Sequence, residues 1–277
     1  MLEIEGLSKS FGKKEILHNI SCQLENGIYG LLGPNGAGKT TFLRCVLGLY
    51  PSKGTISLNE KDISKKRETV HIGYLPQSIG VFPGLTVEEH LRYFACIKKV
   101  DKDRVDVCID KVLEMVHLEE YKKTKGRKLS GGMIRRLGIA QALLDKPELI
   151  IFDEPTTGLD PEERIRFKNI VRQLGKQMIV IMSTHIVEDV EAVCNQIIVM
   201  KAGEFSMQGT QEEIRRYAEG KVYEISREEL TNADYVEREK EVDGKEVLRV
   251  LSNRAISAEK SVQPDVEDGY LCILKEL

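Results

Sequence analysis

An α/β fold around a mostly parallel sheet is predicted by three observations. Short, continuously apolar runs recur through the first part of the chain, helical patterns separate them, and turn or polar residues bound each run. The runs fall at residues 28–32, 72–75, 149–152, 178–182 and 197–200. Strands buried on both faces of a parallel sheet have this composition, because helices or further strands cover each face.

Each element has its own local reason. Residues 2–7 and the pair of runs around the Ala202-Gly203 turn read as antiparallel additions near the two ends of this region. The run at 28–32 passes into a glycine-rich stretch starting at Gly33, and a helical pattern with Leu43, Val46 and Leu47 follows. A helix is predicted from about Ser130 to Leu144, with Ser130 where an N-cap belongs. Another opens at Asp160-Pro161, an N-cap followed by proline in the first turn. It continues through Ile165, Ile170, Val171 and Leu174 and stops at Gly175.

Composition shifts after about residue 212. Residues 221–277 hold 9 basic and 14 acidic side chains, whereas the whole chain carries a net charge of only −3. A hairpin is expected from 235–242 and 245–251 around Asp243-Gly244, a strong two-residue turn signal. A last helix should follow Pro264-Asp265. We therefore expect a main domain over 1–212 and a small α+β accessory domain over 213–277, the latter without chemistry of its own.

Composition also excludes several classes. With 277 residues, 41% hydrophobic and 31% charged, the chain can bury one large core and is too apolar to be disordered. No run approaches the roughly eighteen apolar residues of a membrane span. Met1-Leu2-Glu3-Ile4-Glu5 lacks the basic end and apolar stretch of a signal peptide, so work at a membrane would need a separate anchor. The small net charge argues against a dedicated nucleic-acid binder, and none is expected as partner. Six cysteines are scattered singly, which suits reduced thiols packed as small apolar groups.

The glycine-rich stretch carries the chemistry. Gly33-Pro34-Asn35-Gly36-Ala37-Gly38-Lys39-Thr40 fits G-x-x-x-x-G-K-[ST] between a strand and a helix. Gly36 and Gly38 let backbone N–H groups turn toward phosphates without a Cβ in the way. The following helix presents its positive end to the same anion. Lys39 would neutralise β- and γ-phosphate oxygens, and the Thr40 hydroxyl would ligate Mg²⁺. Further along, the run at 149–152 delivers Asp153 and Glu154 at the end of a strand, where ligands sit in parallel sheets. Asp153 suits the Mg²⁺ shell; Glu154, expected on the opposite side of the strand, can reach an attacking water.

A third element, Leu129-Ser130-Gly131-Gly132-Met133 at a helix start, completes a pattern. Together with the phosphate loop and Asp153-Glu154 it resembles the signature of ATP-binding cassette (ABC) ATPases, a branch of the P-loop NTPases. Gln77 resembles the family's Q-loop glutamine, Gly158-Leu159-Asp160 its D-loop, and His185 in Ser183-Thr184-His185 its switch histidine. The resemblance covers roughly residues 1–210. It implies a mostly parallel core sheet, an antiparallel β subdomain and a helical subdomain of about 78–145 carrying the signature.

The resemblance also implies a mechanism. Two cassettes would close head-to-tail on two ATP molecules, the signature of one completing the site of the other. ATP contacts would come from Phe11, stacking on adenine, from the phosphate loop through Thr41, and from Ser130, Gly131, Gly132 and Asp160. Glu154 would be the general base, with His185 and Gln77 also catalytic; Thr40, Gln77 and Asp153 would hold Mg²⁺. Phe11 stands where the family commonly has Tyr, and Met133 where it commonly has Gln. His18, His71, His90 and His117 are expected in ordinary surface or capping roles. The basic cluster Lys122-Lys123-Thr124-Lys125-Gly126-Arg127-Lys128 reads as a solvated face, with phosphate or lipid-headgroup contact as the alternative.

With one cassette and no span, the resemblance implies a second copy of the chain and a separate integral-membrane permease as partners. Gln77 and residues 82–87 would lie at the docking surface, on the cytoplasmic inner face of the membrane. Residues 85–91, 129–144 and 264–271 look most like the drug, antibiotic and bacteriocin export subgroup. An importer ATPase, or a soluble cassette ATPase of DNA repair or translation, is the alternative.

Overall fold

The computed structural model describes residues 1–63, 70–242, 244–254 and 256–277. In chain order, β1 (Leu2–Phe11), β2 (Lys14–Leu24) and β3 (Gly27–Leu32) precede α1 (Lys39–Val46). Then come β4 (Lys53–Leu58), β5 (Lys61–Asp62), β6 (Ile72–Leu75), α2 (Val87–Ile97), α3 (Val105–Met115) and α4 (Gly131–Leu143). The alternation β7 (Leu149–Asp153), α5 (Pro161–Leu174), β8 (Ile179–Thr184), α6 (Val187–Val193), β9 (Gln196–Lys201) follows, and β10 (Glu204–Gly209) turns back on β9. After α7 (Gln211–Tyr217) come β11 (Val222–Ile225), β12 (Tyr235–Val242), β13 (Lys245–Leu251) and α8 (Val266–Lys275).

The predicted α/β class is the observed one. A six-stranded sheet of order β10-β9-β3-β8-β7-β6 is parallel except for β10. Alternating side chains of its central strands enter two different cores. Leu31, Ile151, Ile181 and Ile198 pack under the antiparallel sheet β2-β1-β4-β5 and α1. Leu32, Phe152, Met182 and Val199 pack against the helices on the opposite face. Both faces are covered, which is why these strands read as unbroken apolar runs.

Register fixes where the strands stop. Leu32 lies opposite Thr184, Asp153 opposite Ser183, and Leu75 opposite Phe152. The carboxyl ends of β3, β6, β7 and β8 therefore share one edge, and the loops leaving them are neighbours.

Helices α2, α3 and α4 form a lobe beside this edge. Thr86 caps α2 in a reciprocal box with Glu89, and Ser130 caps α4 by accepting the Met133 N–H. His90 departs from its expected surface role. It is 2% exposed on the α2 face toward α4, with Nε2 3.1 Å from Gln141 Oε1, and burial lowers its pKa. The basic cluster is tied by backbone bonds to Pro83 and Leu85; Lys122 pairs with Asp110, and Lys123, Lys125, Arg127 and Lys128 face solvent.

On α5, Asp160 is the N-cap and Pro161 opens the first turn, as predicted. Phe167, Ile170, Val171 and Leu174 are buried, but Ile165 is 61% exposed. It lies two residues from Phe167 and five from Ile170, off the buried face that those residues share with Leu174.

The C-terminal sheet has the order β11-β13-β12, with the predicted hairpin strands paired and Val242 opposite Lys245. Asp243 of its turn lies outside the described residues. Asp265 caps α8, and fully buried Asp268 is gripped by the Arg249 guanidinium at 2.5 and 3.1 Å. Among the described residues no helix is long and apolar enough to cross a membrane.

The far end of α4 is capped from α2. Lys98 Nζ donates to the carbonyls of Ala142 and Leu144, each at 3.0 Å, and burial pushes its pKa down to about 8 from 10.5. The unfolded chain therefore binds the extra proton between those values. Stability from this group is full above about 10.5 and is lost as pH falls through about 8. Denaturation at several pH values should show the wild type gaining on Lys98→Met across that window. The neutral amine still has two N–H donors for the two carbonyls. A pH-independent difference would remove Lys98 as the titrating group.

Candidate functional site

The site begins at the loop between β3 and α1. Gly36 and Gly38 have φ of +84° and +109°, a region that glycine reaches without a Cβ penalty. Their predicted freedom is used, and Gly38 is the residue from which α1 starts. Lys39 is buried and folds back over the loop, its Nζ donating to Gly33 O at 2.6 Å and Pro34 O at 3.3 Å. Burial lowers the Lys39 pKa, while Glu154 and Asp153 pull it back up.

Two further strand ends, those of β7 and β8, converge on this loop. Thr40 Oγ1 lies 3.5 Å from Asp153 Oδ1, and Glu154 Oε1 lies 3.9 Å from Lys39 Nζ. Glu154 is not on the opposite side of the strand, contrary to the alternation that sequence suggests. Strand β7 ends at Asp153, and Glu154 has φ +48°, so its side chain turns into the same cleft. A non-glycine residue there costs about 1–2 kcal/mol. Its N–H is held by Ser183, at 3.1 Å to the carbonyl and 3.2 Å to Oγ. His185 Nδ1, past the end of β8, lies 3.0 Å from Glu154 Oε2.

Ser183 was not singled out from the sequence. Its hydroxyl donates to Asp153 Oδ1 at 2.6 Å with both residues buried, so it fixes the carboxylate beside Thr40. Its one signal in the sequence is its place two residues before His185 in Ser183-Thr184-His185. Two arginines, Arg135 and Arg136, are likewise buried on α4 without a local sequence signal. Arg136 forms a two-pronged pair with Glu163 of α5, at 3.1 and 3.3 Å, and also donates to Val116 O and His117 O. Gly132 admits this contact: a Cβ there would overlap the Glu163 side chain.

The remaining predicted residues lie around this centre. Phe11, at the end of β1, is 47% exposed and meets Tyr50 edge-on at 5.3 Å, with Lys9 Nζ 4.7 Å from its ring. Pro34 and Asn35 are exposed, Ala37 is buried, and Thr41 is half-buried on α1. Gln77 is exposed past β6, and its carbonyl accepts from Arg135. Ser130 and Asp160 each spend their side-chain oxygen capping their own helix. Among the described residues, one chain brings none of Ser130, Gly131, Gly132, Asp160 or the Gln77 side chain into hydrogen-bond contact with Lys39, Asp153 or Glu154.

A cationic loop, an alcohol and two carboxylates at parallel strand ends have the make-up of a P-loop nucleotide site. Comparisons with known proteins agree. The ABC transporter family model matches residues 17–157. The ABC transporter ATP-binding protein YxlF of Bacillus subtilis is 41% identical over 82% of this chain and 76% of that protein. The linearmycin resistance ATP-binding protein LnrL of the same species is 39% identical over 77% and 70%. The Nod factor export ATP-binding protein I of Cupriavidus metallidurans is 36% identical over 86% and 76%. A solved ATP-binding subunit of an ABC transporter covers 78% of this chain and 92% of its own, with TM-score 0.69 and 28% identity. A bacterial ABC transporter cassette solved as a dimer shares the fold, with TM-score 0.67 at 23% identity. The chain belongs to the ABC transporter family, as an ATP-binding subunit with export-type relatives.

The Ser183 hydroxyl serves two buried partners, so Ser183→Ala leaves the Asp153 carboxylate and the Glu154 N–H short of one bond. A loss of about 1–3 kcal/mol is expected. Denaturant titration should show it as a lower midpoint with unchanged slope. An unshifted midpoint would mean that water replaces the hydroxyl without cost.

Proposed function

We propose that the chain hydrolyses ATP and, paired with a second copy, drives a separate membrane permease that exports a drug, antibiotic or peptide. The observation that carries this reading is the convergence of Lys39, Thr40, Asp153, Glu154 and His185 on one sheet edge. Lys39 already has its donors gathered at the loop, where phosphate oxygens can replace the carbonyls of Gly33 and Pro34. Phe11 offers an exposed ring face for adenine, backed by Tyr50.

The Thr40 hydroxyl and the Asp153 carboxylate are hard oxygen donors side by side, which fits Mg²⁺. Gln77 would be a third donor. When bound, the ion neutralises charge on the phosphate oxygens. Glu154 accepts a proton from the attacking water, and His185, hydrogen-bonded to Glu154, holds that carboxylate in place to face the water.

Ser130, Gly131, Gly132 and Asp160 sit away from this centre within one chain. This suits the across-dimer role that the family resemblance implies, with α4 presenting its N-terminus to the partner's nucleotide. Export is favoured because relatives are named for linearmycin resistance and Nod factor export. The permease would meet Gln77 and the aromatic face of Phe82 and Tyr93, both exposed, on the cytoplasmic side of the membrane.

Glu154→Gln should keep ATP binding, lower turnover by roughly two orders of magnitude or more, and favour the closed dimer. Near-normal turnover would take the base role from Glu154. Ser130→Arg should bind ATP normally as a dilute single chain yet fail to hydrolyse it. If instead ATP affinity of the single chain falls, the signature acts within its own site.

A further inference from the structure

Arg135 and Arg136 are adjacent on α4 yet live in different environments. Arg136 has a carboxylate, Glu163. Arg135 has none: it is 8% exposed, and among the described residues no acidic group lies within ion-pair distance. Among the described residues its guanidinium donates only to main-chain carbonyls, Pro76 O at 3.2 Å, Gln77 O at 2.9 Å and Thr157 O at 3.4 Å. Burial lowers its pKa, with no charge nearby to offset the cost.

A buried cation without a counter-charge is a poor way to stabilise a helix; an apolar side chain of similar volume would do better. What the guanidinium achieves is geometric. Its planar fork reaches three acceptors at once, which a point-charge ammonium cannot copy. The acceptors belong to the two loops that flank the reactive centre. Pro76 and Gln77 leave β6, and Thr157 follows Glu154, with Thr157 Oγ1 3.5 Å from Glu154 Oε2. Arg135 itself stands little more than a turn beyond Ser130 on the same rigid helix. A shift of α4 against the sheet must break these bonds or carry both loops with it.

We propose that Arg135 is a positioning residue: it ties the signature helix to the loops bearing Gln77 and Glu154, and it governs turnover rather than nucleotide affinity. The proposal rests on the hydrolytic role set out above. It is separate from the Gln77 side chain, because the tie is to carbonyls.

The test compares wild type, Arg135→Met and Arg135→Lys for ATP turnover, ATP affinity and amide hydrogen exchange. Arg135→Met should lose between about tenfold and a hundredfold in kcat with KM and affinity nearly unchanged, as expected for misplacement at a distance. Exchange at residues 77–78 and 156–159, the latter including the Leu159 N–H bonded to the Thr156 carbonyl, should quicken while α1 keeps its protection. Arg135→Lys should recover part of the turnover, and it carries the comparison alone if the methionine variant does not fold. Wild-type kcat in Arg135→Met, or affinity and melting temperature falling in step with kcat, would overturn the proposal. An inactive wild type would sink the hydrolytic reading instead. The exchange data would still decide the tie, unchanged protection of both loops counting against it.

Discussion

A single hydroxyl, that of Ser183, holds the chemistry in register. Parallel pairing of β7 with β8 sets Asp153 opposite Ser183, and the 2.6 Å bond between them fixes the carboxylate while the same residue receives the Glu154 N–H. Without that support Glu154 has little reason to remain at φ +48°, since a left-handed conformation is unfavourable for any side chain with a Cβ. The bend in turn puts Glu154 between Lys39 and His185. Shifting the pairing by one residue would send every core side chain of β7 to the wrong face, so the two buried cores guard the register as well.

The second lobe is joined to this centre by rods and carbonyls rather than by a shared core alone. Helix α4 is capped by Ser130 at one end and by Lys98 from α2 at the other. Arg136 clamps it to Glu163, whose N–H is bonded to the Asp160 cap of α5. The start of α4 and the start of α5 are therefore parts of one connected unit, with Gly132 leaving room for the contact. Removing one partner of a buried pair costs about 3–5 kcal/mol, so this joint resists loosening more strongly than surface pairs do.

Much of this was legible because it depends on local pattern. The apolar runs, the glycine loop, the Ser130 and Asp160 caps and the hairpin at 235–251 each declare themselves within a few residues. What escaped depends on long-range pairing. The turn of Glu154 into the cleft requires Ser183 from another strand, and a strand read by alternation sends Glu154 the wrong way. The burial of His90 depends on Gln141, 51 positions away. Arg135 is similar: a charged pair after Met133 looks like a solvated face until β6 and the turn after β7 are laid against it. Ile165 shows the converse, an apolar residue inside a helical pattern but off its buried stripe.

The C-terminal elements belong to the same mechanical frame. Val266 and Tyr270 of α8 share a core with Val187 and Val190 of α6, the helix that begins two residues after His185. Asp189 of α6 is fully buried and answered by Lys168 of α5 at 2.9 Å, so α6 is held from both sides. Burial raises the pKa of Glu267 on α8, and the like charge of Glu188 on α6 adds to it. With Val187, Asp189, Val190 and Val193 buried, α6 cannot slide without disturbing buried contacts. His185 lies two residues before that helix, with its exposed ring hydrogen-bonded to Glu154 at 3.0 Å.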